Sequence, residues 1–205
     1  MNFAAHELLE TQEALRTKTA EIEQHGFFAN NCRDQHLKGI LLRHQQQMIT
    51  AYQQGVNLLS GKGVQLPHQY PTFTGQNTNV GMQQQQTSGS APMANTQMLS
   101  DKTMATLVLN AHKSGSMMSM LWANECVDPQ IRAYHVNGAN LCQEMAYEIW
   151  AWMNQNGYYQ PPQFNTQTQT QMQQAFRPMT NTMNANGMNV SPMNQTHMHH
   201  GGQMQ

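Results

Sequence analysis

A pattern that recurs at a fixed separation constrains this chain more than its composition does. Ala29-Asn30-Asn31-Cys32-Arg33-Asp34 matches Ala123-Asn124-Glu125-Cys126-Val127-Asp128, and Gly63-x-x-x-Pro67 matches Gly157-x-x-x-Pro161, both at an offset of 94 residues. Two anchored ends at equal separation point to a duplicated unit, each copy a pair of helices joined by the Cys-containing turn. In the second copy, Ile131, Tyr134, Gly138, Leu141, Met145, Ile149 and Trp152 recur in steps of three and four, which is a helical stripe and a poor strand. Asp128 before Pro129 is a helix start, and Gly157 with Pro161 and Pro162 is a stop. The first copy repeats the pattern with Leu37, Leu41, His44, Met48, Ala51, Gly55 and Leu58.

The helices before each Cys turn are less marked. The first is expected over about residues 3–24, with Ala4, Leu8, Thr11, Leu15 and Ile22 inward, Glu7 and Lys18 largely off that face, and His25-Gly26 as its stop. The third starts at Leu99-Ser100-Asp101 and carries Met104, Leu107, Ala111, Ser114, Met118 and Leu121 inward. Between the copies, about residues 68–97 are rich in Gln, Asn, Thr, Ser, Gly and Pro and include Gln83-Gln84-Gln85-Gln86. Such a segment buries too little apolar surface to offset its ordering entropy. The expected organisation is therefore a helical hairpin at 1–67, a linker at 68–98, a second hairpin at 99–162 and a low-complexity Met/Gln/Asn-rich tail at 163–205, with linker and tail disordered.

Two hairpins joined by so long a connection read as an all-α four-helix bundle. If the linker runs the length of the bundle, the second hairpin is inverted and the topology is ferritin-like; an up-down-up-down bundle is the alternative. In the inverted form Cys32 and Cys126 lie at opposite ends, so their crosslinks would be intermolecular, while Cys142 falls on a buried stripe.

Function classes narrow by exclusion. Ten Lys and Arg against eleven Asp and Glu leave no electrostatic footprint for nucleic acid or an anionic membrane. No run approaches the roughly 18 apolar residues of a membrane span. The start Met1-Asn2-Phe3-Ala4-Ala5-His6-Glu7 lacks the basic and apolar regions of a signal peptide, so synthesis in the cytoplasm is expected. Di-metal carboxylate bundles need Glu-x-x-His motifs, and no histidine in the helical regions has an acidic residue three positions earlier. His44 is the single histidine on an expected core stripe and reads as a hydrogen-bonded core residue, while Glu144 and Glu148 read as a solvated face. No catalytic residue, metal site or cofactor is expected. Cys32, Cys126, Trp150, Tyr158 and Tyr159 are the candidate contact residues between molecules.

Leu99-Ser100-Asp101-Lys102, Asn124-Glu125-Cys126 with Pro129 and Arg132, and Glu148, Met153 and Gly157-Tyr158-Tyr159-Gln160-Pro161-Pro162 together resemble the Coat F domain of the spore coat protein F family of endospore-forming bacteria. The resemblance covers about residues 99–162, with residues 3–67 a more diverged copy. It implies a ferritin-like helical fold and a non-enzymatic structural place in the spore coat, reached from the mother-cell cytoplasm. The implied partners are other coat proteins and the chain itself, and no catalytic residue carries over. Low charge and amide-rich segments agree, since both favour association. The rival readings are a ferritin-like metal-dependent oxidoreductase and a sporulation adaptor that binds another coat protein.

Overall fold

The computed structural model describes residues 3–62, 64, 66 and 91–176. The described residues are all-helical: α1 is Ala5–Asn31, α2 Gln35–Leu59, α3 Asp101–Glu125, α4 Pro129–Gln155 and α5 Thr166–Gln174. Local chemistry sets most of the ends. Asp34 accepts the Leu37 N–H at 2.7 Å, Ser100 Oγ accepts that of Thr103 at 3.1 Å, and Asp128 Oδ1 accepts those of Gln130 and Ile131 at 2.8 and 3.1 Å. At the other ends, Gly61 and Gly157 adopt φ of 69° and 73°. Each lets the chain fold back on its own helix: Gly61 and Lys62 donate to Leu58 and Asn57, and Gly157 and Tyr158 donate to Asn154 and Met153.

These paired stops correct the register read at the end of the repeat. The equivalent of Gly157 is Gly61 rather than Gly63, which lies outside the described residues, because α4 has 27 residues and α2 has 25. A second correction concerns α1, which runs through His25-Gly26 to Asn31. Gly26 leaves room for Gln45: a Cβ there would lie 2.6 Å from Gln45 Nε2 and displace the amide that donates to the Ile22 carbonyl at 2.9 Å. Phe28 and Ala29 beyond it are buried, and that burial outweighs a mid-helix glycine's penalty of about 1 kcal/mol.

Helix α1 packs on α2 and α3, and α4 packs on α3 and α2. Directions follow from two clasps. The Glu7 carboxylate, near the start of α1, accepts the Val127 and Asp128 N–H groups of the α3–α4 turn at 3.0 and 2.5 Å. The Asp101 carboxylate, at the start of α3, accepts those of Arg33 and Asp34 in the α1–α2 turn at 3.0 and 2.9 Å. Glu7 and Asp101 are themselves 94 residues apart, as are the turns they hold, so the two halves grip each other twice in the same way. Each hairpin turn lies at the end where the other hairpin opens, and α1 runs opposite to α3.

The buried stripes of α2 and α4 are those expected from their periodicity, from Leu37 to Leu58 and from Ile131 to Trp152. Gly55 is there because Tyr134 crosses it: a Cβ at Gly55 would sit 2.6 Å from the Tyr134 Oη. Helices α1 and α3 are rotated from expectation. Helix α1 buries Glu7, Thr11, Ala14, Lys18, Glu21 and His25 and leaves Leu8 and Leu9 exposed. Helix α3 buries Met104, as expected, together with Ala105, Val108, Leu109, His112 and Ser119, while Leu107, Met118 and Leu121 face outward. Polar side chains that find partners inside replaced the leucines that a hydrophobicity count places there.

Part of the expected disordered tail is helical. In α5, Asn165 Oδ1 accepts the Thr168 N–H at 2.9 Å and Thr170 Oγ1 donates to the Thr166 carbonyl at 2.9 Å, a local solution that buries no residue. The described residues 164–176 belong to a unit distinct from that of α1 to α4.

Candidate functional site

Two apolar clusters line the interior. One gathers Phe28, Leu37, Leu41, Val108, Ile149 and Trp152, the other Met48, Ala51, Leu141 and Met145 with Ile22 against them. Between them every long helix contributes a polar side chain: His25 from α1, His44 from α2, His112 from α3 and Glu148 from α4. The three histidines are at most 1% exposed. One ring nitrogen from each lies within 4.8 Å of the other two.

Hydrogen bonds fix the tautomers of His25 and His44. His25 Nδ1 is 2.7 Å from the Glu21 carbonyl, which only accepts, so Nδ1 carries the proton and Nε2 presents a lone pair. That Nε2 stands 3.3 Å from His112 Nε2. His44 Nε2 donates to Glu148 Oε2 at 2.8 Å, which leaves His44 Nδ1 unprotonated, and neither His44 Nδ1 nor His112 Nδ1 has a hydrogen-bond partner among the described residues. Burial favours the neutral form of each ring. Burial pushes His25 down to about 4 against the backbone bond from Glu21, and it lowers His44 and, further, His112. Burial would raise the Glu148 carboxyl, but the His44 hydrogen bond and the neighbouring Arg43 outweigh it and hold Glu148 below its ordinary range. Arg43 also pairs with Glu148 directly.

These placements revise several expectations. His44 is one of three clustered core histidines, and Glu148 belongs to the interior network rather than to a solvated face. Periodicity misses His25 and His112 because His25-Gly26 has the form of a helix stop and His112 lies off the apolar face expected for α3. A fourth buried histidine, His135, lies nearer the α3–α4 turn, 3.2 Å from Thr11 Oγ1 and edge-on to Trp122 and Tyr134, and burial lowers it to about 4. Lys18 and Glu21 border a cavity of about 490 Å³ between α1 and α3, lined also by Gly115, Met118 and Trp122. Burial raises the Glu21 carboxyl, with Lys18 opposing it.

The candidate contact residues are dispersed. Cys32 is half-buried in the α1–α2 turn, and Cys126 is buried in the other turn with Sγ 3.2 Å from the Trp122 carbonyl. Burial, then Glu7 and Glu10, push the Cys126 thiol up to about 11. Burial likewise takes Cys142 to about 11. Trp150 is partly buried on the core, Tyr158 packs at a tilt against Trp152 with ring centroids 5.6 Å apart, and Tyr159 is 40% exposed with the Lys113 ammonium 5.3 Å from its ring. The buried Asn154 side chain donates to the Tyr159 carbonyl at 3.0 Å and so ties the closing element to α4.

This architecture is that of an all-helical protein, and its second hairpin is similar to a known domain: the model of the Coat F domain matches residues 100–163, which are α3, α4 and the closing element. Over 182 residues the chain is 29% identical to the spore coat protein F-like protein YhcQ of Bacillus subtilis (strain 168), covering 87% of this chain and 82% of that protein. The fold is similar to the crystal structure of a protein of Bacillus halodurans C-125 provisionally named as a spore coat protein. The TM-score is 0.60 at 15% identity, over 81% of this chain and 97% of the other. Among the described residues, no helix is long and apolar enough to cross a membrane.

Proposed function

We propose that the protein is a non-enzymatic structural component of the bacterial spore coat, and that its four long helices form a ferritin-like bundle built from two copies of one hairpin. The observation that carries the reading is the Coat F match on the second hairpin, with the YhcQ similarity extending across most of the chain. The doubled clasp of Glu7 and Asp101 supports the duplication and the inverted order of the hairpins.

Assembly needs outward-facing adhesive surface, and α3 supplies it. Met117, Met118, Met120 and Leu121 are 75%, 42%, 41% and 53% exposed, a methionine-rich face able to adapt to another coat protein or a second copy. With charged residues at only 10% of the chain, little repulsion opposes such contacts. Synthesis in the mother cell followed by deposition on the forespore completes the reading. A fluorescent fusion followed through sporulation tests it: a ring around the forespore is expected, and a signal that stays diffuse in the mother cell refutes it.

A further inference from the structure

Three buried imidazoles that converge within 4.8 Å, with His44 Nδ1 unpartnered among the described residues, are a costly arrangement unless something occupies their lone pairs. We propose that His25, His44 and His112 form a binding site for one divalent cation of the borderline, nitrogen-preferring class, with Zn²⁺ its best-fitting member. The donor set selects that class, because imidazole suits zinc, copper and nickel, whereas calcium and magnesium require oxygen ligands.

The geometry agrees. Two imidazole nitrogens bound tetrahedrally at about 2.05 Å lie about 3.3 Å from each other. His25 Nε2 and His112 Nε2 already stand at 3.3 Å, and the third ring closes from at most 4.8 Å. The second nitrogens are held as metal-binding histidines hold them, His25 Nδ1 by the Glu21 carbonyl and His44 Nε2 by the Glu148 carboxylate. His44 can therefore ligate through Nδ1, the atom without a hydrogen-bond partner. Three ligands leave the fourth tetrahedral position for water or an external ligand. The cavity between α1 and α3 reaches Glu21 and Ala111, the neighbours of His25 and His112 along their helices, and offers a route for the ion. Lys18 opposes a cation here, and Glu21 and Glu148 offset it.

The cluster is not a by-product of the repeat. At the offset of 94, His25 and His44 correspond to Ser119 and Gly138, and His112 corresponds to Lys18, so the repeat does not generate a second copy of the three ligands. A cation there would tie α1, α2 and α3 together across the two hairpins.

The test uses the purified full chain, stripped with chelator and titrated with Zn²⁺ against a chromogenic competitor, and then with Co²⁺ for its visible spectrum. The background carries His197→Ala, His199→Ala and His200→Ala, so that tail histidines contribute nothing. One Zn²⁺ per chain and an intense tetrahedral Co²⁺ band are expected. His112→Leu should abolish both while helicity is kept, and Glu148→Gln should weaken zinc by about 10–100-fold through the loss of His44 orientation. The proposal is overturned if the tail-substituted chain shows no saturable binding. It is equally overturned if its stoichiometric zinc survives His112→Leu in folded protein.

Discussion

The two clasps at opposite ends make a quantitative prediction about how the hairpins hold each other. Glu7 is 1% exposed and its carboxylate accepts three backbone N–H groups, those of Ala4, Val127 and Asp128. A hydrogen bond to a charged group contributes about 1.5–3 kcal/mol, and a buried donor left unpaired costs about 1–3 kcal/mol. Val127 is 74% exposed and Ala4 sits at a helix start, so water recovers part of the loss there. Glu7→Ala should therefore cost about 2–4 kcal/mol. The equivalent Asp101 accepts from Arg33 and Asp34 in a more exposed turn. Its replacement by alanine should cost about 1–2 kcal/mol, including the favourable placement of an anion in the first turn of α3. The two sites are separated by a helix of about 25 residues, roughly 38 Å at 1.5 Å per residue, so the double variant should be additive within about 0.5 kcal/mol. Urea unfolding of the four proteins in chelator, followed by circular dichroism, gives the values from the midpoints. A Glu7→Ala loss below about 1 kcal/mol, or a coupling above that size, would refute the reasoning that separate charge-assisted clasps hold the hairpins.

Other outcomes follow from single sites. Gly55→Ala should destabilise by about 1–3 kcal/mol, because the new methyl meets Tyr134 Oη at 2.6 Å and Leu15 Cδ2 at 2.9 Å. Gly39→Ala meets only Arg43 Nη1 at 3.8 Å and should stabilise by up to about 1 kcal/mol, both read by thermal melts. His135 has its pKa lowered from 6.5 to about 4, so the unfolded chain takes up the proton first. Its contribution is intact above pH 6.5 and is lost as pH falls to about 4, by about 3 kcal/mol. His135→Gln in chelator should flatten the pH dependence of the urea midpoint over that window; an unchanged slope contradicts a neutral buried His135. Oxidation should give dimers on non-reducing gels that disappear with Cys32→Ser and persist with Cys126→Ser or Cys142→Ser, since both latter thiols are buried and raised to about 11. Dimers that need Cys126 instead would show that its turn opens.

What the sequence determined by itself was whatever depends on residues a few positions apart. The caps at Asp34, Ser100 and Asp128 and the stripes of α2 and α4 are of this kind: a cap bonds its own first turn, and a mainly apolar stripe buries itself wherever it packs. The tertiary structure decided which face of α1 and α3 turns inward. Glu7, His25 and His112 count as polar in any window of sequence, yet each is buried because its partner arrives from a distant segment: the α3–α4 turn for Glu7, and for the two histidines each other, 87 residues apart. The continuation of α1 through Gly26 was decided in the same way, by the passage of Gln45 and the burial of Phe28 and Ala29. A polar group's cost of burial is set by the group it meets, and sequence separation hides that group until the chain folds.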